Sequence, residues 1–108
     1  MISEGKADIN IRDDKGSTSL YLAISKKEVD IIEYLLEEGK ANPNDQNKDG
    51  WTPLHSASFY GNLEIAKYLV EKHKADINIK NSIGATPLDV AIFKKQDHII
   101  EYLKSLKK

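Results

Sequence analysis

A repeat of 34 residues runs through the whole chain and constrains its fold more than any other feature. Gly16, Gly50 and Gly84 stand 34 residues apart, and several other columns keep the same register. These columns are Thr18, Thr52, Thr86; Leu20, Leu54, Leu88; Ala23, Ala57, Ala91; Ile31, Ile65, Ile99; and Tyr34, Tyr68, Tyr102. The phase of the columns divides the chain into unit 1 (7–40), unit 2 (41–74) and unit 3 (75–108). A chain built this way is expected to stack copies of one small element.

Unit 2 shows what that element is. Asp49-Gly50 predicts a turn, and Thr52 followed by Pro53 predicts the N-cap and first residue of a helix of about two turns. Gly61 is well placed to end this helix in a left-handed conformation. A second helix is predicted by apolar residues at helical spacing, namely Leu63, Ala66, Leu69 and Val70. Each unit is therefore predicted to be turn, helix, turn, helix, and its apolar faces must be buried against the neighbouring units.

Three segments of the chain carry a family resemblance. Residues 50–55 (GWTPLH), 61–65 (GNLEI) and 75–78 (ADIN) resemble the consensus of the ankyrin repeat, and the pattern recurs three times in order over nearly the whole chain. The resemblance implies one domain over residues 1–108, an all-α solenoid of helix-turn-helix units with protruding hairpin turns. It also implies a concave face of first helices and hairpins, a convex back of second helices, and a role in binding another protein.

The chain departs from the family pattern in several places. The period is 34 rather than the usual 33, with Lys40 and Lys74 as the inserted residues. Lys27 and Lys95 replace Gly61, so a left-handed conformation there is expected to cost on the order of 1 kcal/mol each. Residues 1–6 align with the end of a second helix. We therefore expect them to be the tail of a truncated preceding repeat, and the chain to be a fragment of a longer array.

Composition limits the partners and the compartment. Sixteen basic and seventeen acidic residues give a net charge of -1, which provides no overall attraction to nucleic acid or anionic lipid. Arg12 is the only arginine, there is no cysteine, and no apolar run is long enough to cross a bilayer. We expect an intracellular protein, cytoplasmic or nuclear, that acts as a monomer and binds neither nucleic acid nor membrane.

The polar residues offer little chemistry. His55 is interpreted as a turn-fixing residue that hydrogen-bonds Thr52 and nearby backbone. Residues 45–50 resemble the first half of a calcium loop, but Ser56 stands where the bidentate glutamate is required. No nucleophile elbow, phosphate loop or metal-ligand spacing is present. We therefore expect no catalytic residue, no metal and no cofactor.

A partner is expected at the hairpin tips and the outer part of the first helices. The predicted contact residues are Lys48, Asp49, Trp51, Phe59 and Tyr60 in unit 2 and Ile83, Phe93 and Lys94 in unit 3. Phe59 and Phe93 are expected to lie side by side as anchors, and the alternative is that both fold back into the core. The tyrosine column on the second helices is interpreted as packing between units rather than a stacking platform for bases or sugars. The main rival function is a structural or targeting segment of a longer array.

Overall fold

A computed structural model describes residues 19–106, which form six α-helices in three pairs. The helices are α1 (Ser19–Ser25), α2 (Val29–Glu37), α3 (Pro53–Tyr60), α4 (Leu63–His73), α5 (Pro87–Phe93) and α6 (Asp97–Ser105). The first helices begin 34 residues apart, and so do the second helices. Residues 19–106 contain no β-strand. The prediction of an all-α stack of helix-turn-helix units is therefore confirmed.

Local sequence sets the ends of α3 as predicted. The Thr52 side chain accepts a hydrogen bond from the backbone N–H of His55, and the His55 side chain accepts one from the backbone N–H of Thr52. This reciprocal pair satisfies two N–H groups that a helix start leaves without partners, and Pro53 lacks the N–H that would need one. Gly61 ends the helix with φ 72°, a conformation that glycine adopts without steric cost.

Small residues let the first helices approach one another closely. Ala23, Ala57 and Ala91 lie in equivalent places on α1, α3 and α5 and are at most 3% exposed. Neighbouring first helices are in closer contact than neighbouring second helices, so the stack bends toward the first helices. The array measures 43 × 25 × 21 Å, as expected for units added along one direction.

Within residues 19–106, four lysines adopt the left-handed conformation usually reserved for glycine. Lys27 and Lys95 have φ 59°, which confirms the expectation drawn from their alignment with Gly61. Lys40 and Lys74 have φ 58° and stand at the ends of α2 and α4. Each such residue costs on the order of 1 kcal/mol relative to a relaxed backbone.

The outer face of unit 1 leaves apolar side chains exposed. Ile31 is 46% exposed, whereas its equivalents Ile65 and Ile99 are 1% exposed because each packs within the stack. Leu22 is 42% exposed, whereas the equivalent Val90 is 6% exposed. Residues 1–6, expected to be the tail of a preceding repeat, lie outside the described residues.

Candidate functional site

The hairpin tips are held by two equivalent asparagines. The Asn47 Oδ1 atom accepts hydrogen bonds from the backbone N–H of Asp49 (2.9 Å) and of Trp51 (3.0 Å). Asn81 Oδ1 does the same for Ile83 (3.1 Å) and for the residue that follows Gly84 (2.9 Å). These bonds close the chain into tight turns, and the residues between the bonded groups project outward. The tips of units 2 and 3 thereby present exposed side chains at Lys48, Asp49 and Ile83.

The two tips are joined to each other. The backbone N–H of Ser82 donates to the carbonyl oxygen of Asp49 at 2.9 Å. Gly50 makes this approach possible, because a Cβ atom there would lie 2.8 Å from the Ser82 nitrogen. The hairpins therefore form a continuous edge of the stack rather than independent loops.

His55 is a fully buried structural residue. Its Nε2 atom lies 2.8 Å from the carbonyl oxygen of Ala85 in unit 3, and its Nδ1 atom lies 3.1 Å from the backbone nitrogen of Thr52. Burial lowers the pKa of the imidazole below its ordinary value, although the hydrogen bond to Ala85 and the charge of Asp89 act in the opposite direction. The prediction that His55 fixes the turn is confirmed, and the bond to the next unit is an addition that the sequence did not indicate.

Three aromatic side chains of unit 2 form one cluster. The ring centroids of Trp51 and Phe59 are 5.6 Å apart, those of Phe59 and Tyr60 are 4.9 Å apart, and both pairs meet edge to face. The Lys94 ammonium of unit 3 lies 4.6 Å from the centroid of the Phe59 ring, within the range of a cation–π interaction. Phe59 is therefore in direct contact with three other predicted contact residues, Trp51, Tyr60 and Lys94.

Trp51 packs against the start of α3. It is partly buried, and its ring also lies 5.7 Å from the His55 ring. Trp51, which the sequence predicts as a contact residue, therefore packs over the capped start of α3 and keeps part of its surface exposed. Its truncation would therefore disturb the turn as well as the surface.

Phe59 and Phe93 occupy equivalent positions but different environments. Phe93 is 80% exposed and makes no ring contact with any residue of 19–106, so the two phenylalanines do not lie side by side as expected. The reason is the residue at the hairpin of each unit. Phe59 packs on Trp51, whereas unit 3 has Ala85 at that place and offers no ring. The alternative, that both rings fold back into the core, holds in part for Phe59 and does not hold for Phe93.

Two members of the tyrosine column, Tyr68 and Tyr102, pack between units and are also hydrogen-bonded. The hydroxyl of Tyr68 donates to Glu37 at 2.6 Å, and that of Tyr102 donates to Glu71 at 2.9 Å. Burial, followed by the bond to Glu71, raises the pKa of Tyr102 to about 12. The bond from Tyr68 lowers the pKa of the Glu37 carboxyl. The packing interpretation is confirmed for Tyr68 and Tyr102, whereas Tyr34 is 48% exposed. The recurrence of glutamate at the same interval of 34 was the signal for these bonds.

The segment that resembles half of a calcium loop serves the hairpin instead. The Gln46 side chain donates to the carbonyl oxygen of Gly50 at 2.9 Å, and α3 already begins at Pro53. Within residues 19–106, no three His, Cys, Asp or Glu side chains come together as a metal site would require. In that same part of the chain, none of the helices has the length and apolar character needed to cross a bilayer.

Comparison with known proteins agrees with this architecture. A family model described as ankyrin repeats in three copies matches residues 1–81, and a model of ankyrin repeats in many copies matches residues 60–103. No curated protein matches the chain. Ankyrin repeats are generally protein–protein interaction modules and generally lack catalytic activity. Because the first match alone covers well over half of the 108 residues, the chain belongs to the ankyrin repeat family.

Proposed function

We propose that this chain is a non-catalytic module that binds a partner protein on its concave face. The contact surface consists of the hairpin tips and the outer ends of α3 and α5, with Trp51, Phe59, Tyr60, Ile83 and Phe93 as apolar anchors. Lys48, Asp49 and Lys94 form its polar rim. The family supports protein binding in general, and the choice of face rests on the exposure of Ile83 and Phe93.

One observation carries the choice of face. Ile83 and Phe93 are 85% and 80% exposed, more than any other large apolar side chain of residues 19–106. Both belong to unit 3, one at its hairpin and one at the end of its first helix. Exposed apolar side chains that are grouped and bordered by charge are typical of protein interfaces, and large aromatic residues often supply most of the binding energy.

The test is to truncate these two residues. The unmodified chain is used to isolate a partner by affinity capture and mass spectrometry, and the partner is then titrated against Ile83→Ser and Phe93→Ser variants. Each variant is expected to bind at least about tenfold more weakly, with an unchanged melting temperature because neither side chain is buried. Leu106→Ser is the control, since Leu106 is 40% exposed just after the end of α6, away from this surface. Unchanged affinity in both variants would exclude this face as the binding site.

A second candidate function is favoured by the outer face of unit 1. Ile31 is exposed there although its equivalents are buried, and this favours the role of a structural or targeting segment within a longer array. An antibody raised against the chain should then detect a species much longer than 108 residues in cell extracts. The intracellular location and the monomeric state expected from the sequence stay predictions.

A further inference from the structure

The ends of the three first helices carry a repeated pattern of charge and aromatic side chains. The equivalent positions hold Ser25, Lys26 and Lys27 in unit 1; Phe59, Tyr60 and Gly61 in unit 2; and Phe93, Lys94 and Lys95 in unit 3. A pair of lysines therefore stands on each side of the Phe59-Tyr60 pair along the stack. We call these six side chains, Lys26, Lys27, Phe59, Tyr60, Lys94 and Lys95, the lysine–aromatic strip.

The lysines of the strip are accessible to a ligand. All four are exposed. The ion pairs found within residues 19–106 instead join Lys72 and His73 to Glu37 on the second helices. Lys94 contacts the face of the Phe59 ring, which leaves its ammonium charge without a carboxylate partner in that part of the chain.

Three carboxylates, Glu28, Asp89 and Asp97, stand near the strip in the sequence. Asp89 Oδ2 accepts a hydrogen bond from the backbone N–H of Thr86 at 3.0 Å and caps α5. Glu28 and Asp97 stand at the N-termini of α2 and α6, where the helix dipole favours negative charge. The four lysines outnumber these three carboxylates, so the strip is locally positive, although the whole chain has a net charge of -1.

We infer that the partner bound by this surface contributes an acidic segment that carries apolar side chains. The inference rests on the proposed function and adds the chemistry of the partner to it. Packed helices lie roughly 8 to 10 Å apart, so the two lysine pairs are about 20 Å apart across unit 2. An extended segment of about six residues spans that distance. Its carboxylates meet the lysine pairs, and an apolar side chain between them meets Tyr60 and Phe59.

A peptide display library tests this chemistry without a known partner. Random peptides of about sixteen residues are selected on the unmodified chain, and the enriched sequences are expected to combine Asp or Glu with Leu, Phe or Trp. A synthetic peptide of the enriched sequence is then titrated. Its affinity should fall by about tenfold or more between low and high salt, because screening weakens exposed charge pairs.

Matched variants locate the binding. The double variant Lys26→Glu/Lys94→Glu should bind the peptide at least about tenfold more weakly. The control Lys80→Glu/Lys104→Glu carries the same change of charge at exposed lysines outside the strip and should stay within about twofold. Melting temperatures of both proteins are measured alongside, since Lys94→Glu also removes the contact with Phe59.

The outcomes separate this inference from the proposed function. Enriched peptides that are neutral or basic, yet lose affinity for the Phe93→Ser variant, would overturn the acidic partner and retain the binding face. The same holds if an RNA oligonucleotide competes with the selected peptide and binds the strip more tightly. Peptides that bind all variants equally, or no enrichment at all, would overturn both proposals.

Discussion

The Nε2 atom of His55 donates to the carbonyl oxygen of Ala85 over 2.8 Å and thereby ties the first helix of unit 2 to the hairpin of unit 3. A carbonyl only accepts, so this bond assigns the ring proton to Nε2 and leaves Nδ1 to accept from the backbone N–H of Thr52. Only the neutral imidazole makes both bonds. A second proton would convert Nδ1 into a donor and break the bond from the Thr52 N–H, leaving only the Thr52 hydroxyl, 2.8 Å away, to accept from it.

Stability is therefore expected to decrease as the pH falls below about 6.5. The folded pKa of His55 is lower than its ordinary value of 6.5 because the ring is buried. The unfolded chain then binds the proton more readily than the folded one. The contribution of His55 is fully present above the unfolded pKa and is lost as the pH falls toward the folded pKa.

Urea unfolding at several values between about pH 7.5 and about pH 5.5 checks this dependence. His55→Asn removes the titrating group and should be less stable at neutral pH, with a smaller decline on acidification. His73 and His98 are present in both proteins, so the difference in slope belongs to His55. Equal slopes for the two proteins would contradict the assignment.

The glutamate–tyrosine bonds between second helices should contribute to stability. Tyr68→Phe removes the hydroxyl that donates to Glu37 and is expected to lower the melting temperature, because the ring stays packed while the hydrogen bond is lost. Tyr34→Phe is the matched control. Tyr34 occupies the same column and is 48% exposed, and its hydroxyl has no hydrogen-bond partner among residues 19–106. Comparable losses in both variants would mean that the bond contributes nothing.

Substitution of either of two buried serines is expected to stabilise the protein. The Ser58 side chain is 0% exposed, and its hydroxyl has no hydrogen-bond partner within residues 19–106; the same is true of Ser56. Ser58→Ala removes an unsatisfied polar group and should raise the free energy of unfolding by about 1 kcal/mol. Ser105→Ala, on an exposed hydroxyl that donates to the Tyr102 carbonyl oxygen, should change it by less than about 0.5 kcal/mol. A loss of stability in Ser58→Ala would show that its hydroxyl is satisfied in solution.

A comparison of alanine substitutions at Gly50 and Gly84 distinguishes the cost of backbone strain from the cost of a clash between units. Both have positive φ, 79° and 82°, so alanine is strained at either position by about 1 kcal/mol. A Cβ atom at Gly50 would lie 2.9 Å from the Asn81 Cα atom, whereas within residues 19–106 nothing approaches one at Gly84 within 4 Å. Gly50→Ala should therefore cost about 1 to 3 kcal/mol more than Gly84→Ala in urea unfolding. Equal costs would mean that the hairpins separate readily.

The features that depend on the repeat itself could be predicted from the sequence. The features that depend on contact within one pair of residues could not. The interval of 34 and the cap at Thr52 were enough to place the helices, because a propagated period and a local hydrogen bond both leave a mark in the sequence. The different environments of Phe59 and Phe93 could not be predicted from their shared position. They depend on Trp51 in one hairpin and Ala85 in the other, and alignment of equivalent positions does not reveal which rings fold onto each other.

The four left-handed lysines determine where this scaffold can be stabilised without weakening partner binding. Glycine at Lys40 or Lys74 would relieve backbone strain at the end of a second helix, outside the lysine–aromatic strip. The same exchange at Lys27 or Lys95 would relieve strain but remove a cation from the strip. Stability can therefore be raised at Lys40 or Lys74 independently of partner binding. At Lys27 or Lys95, a gain in stability is accompanied by a loss of partner binding.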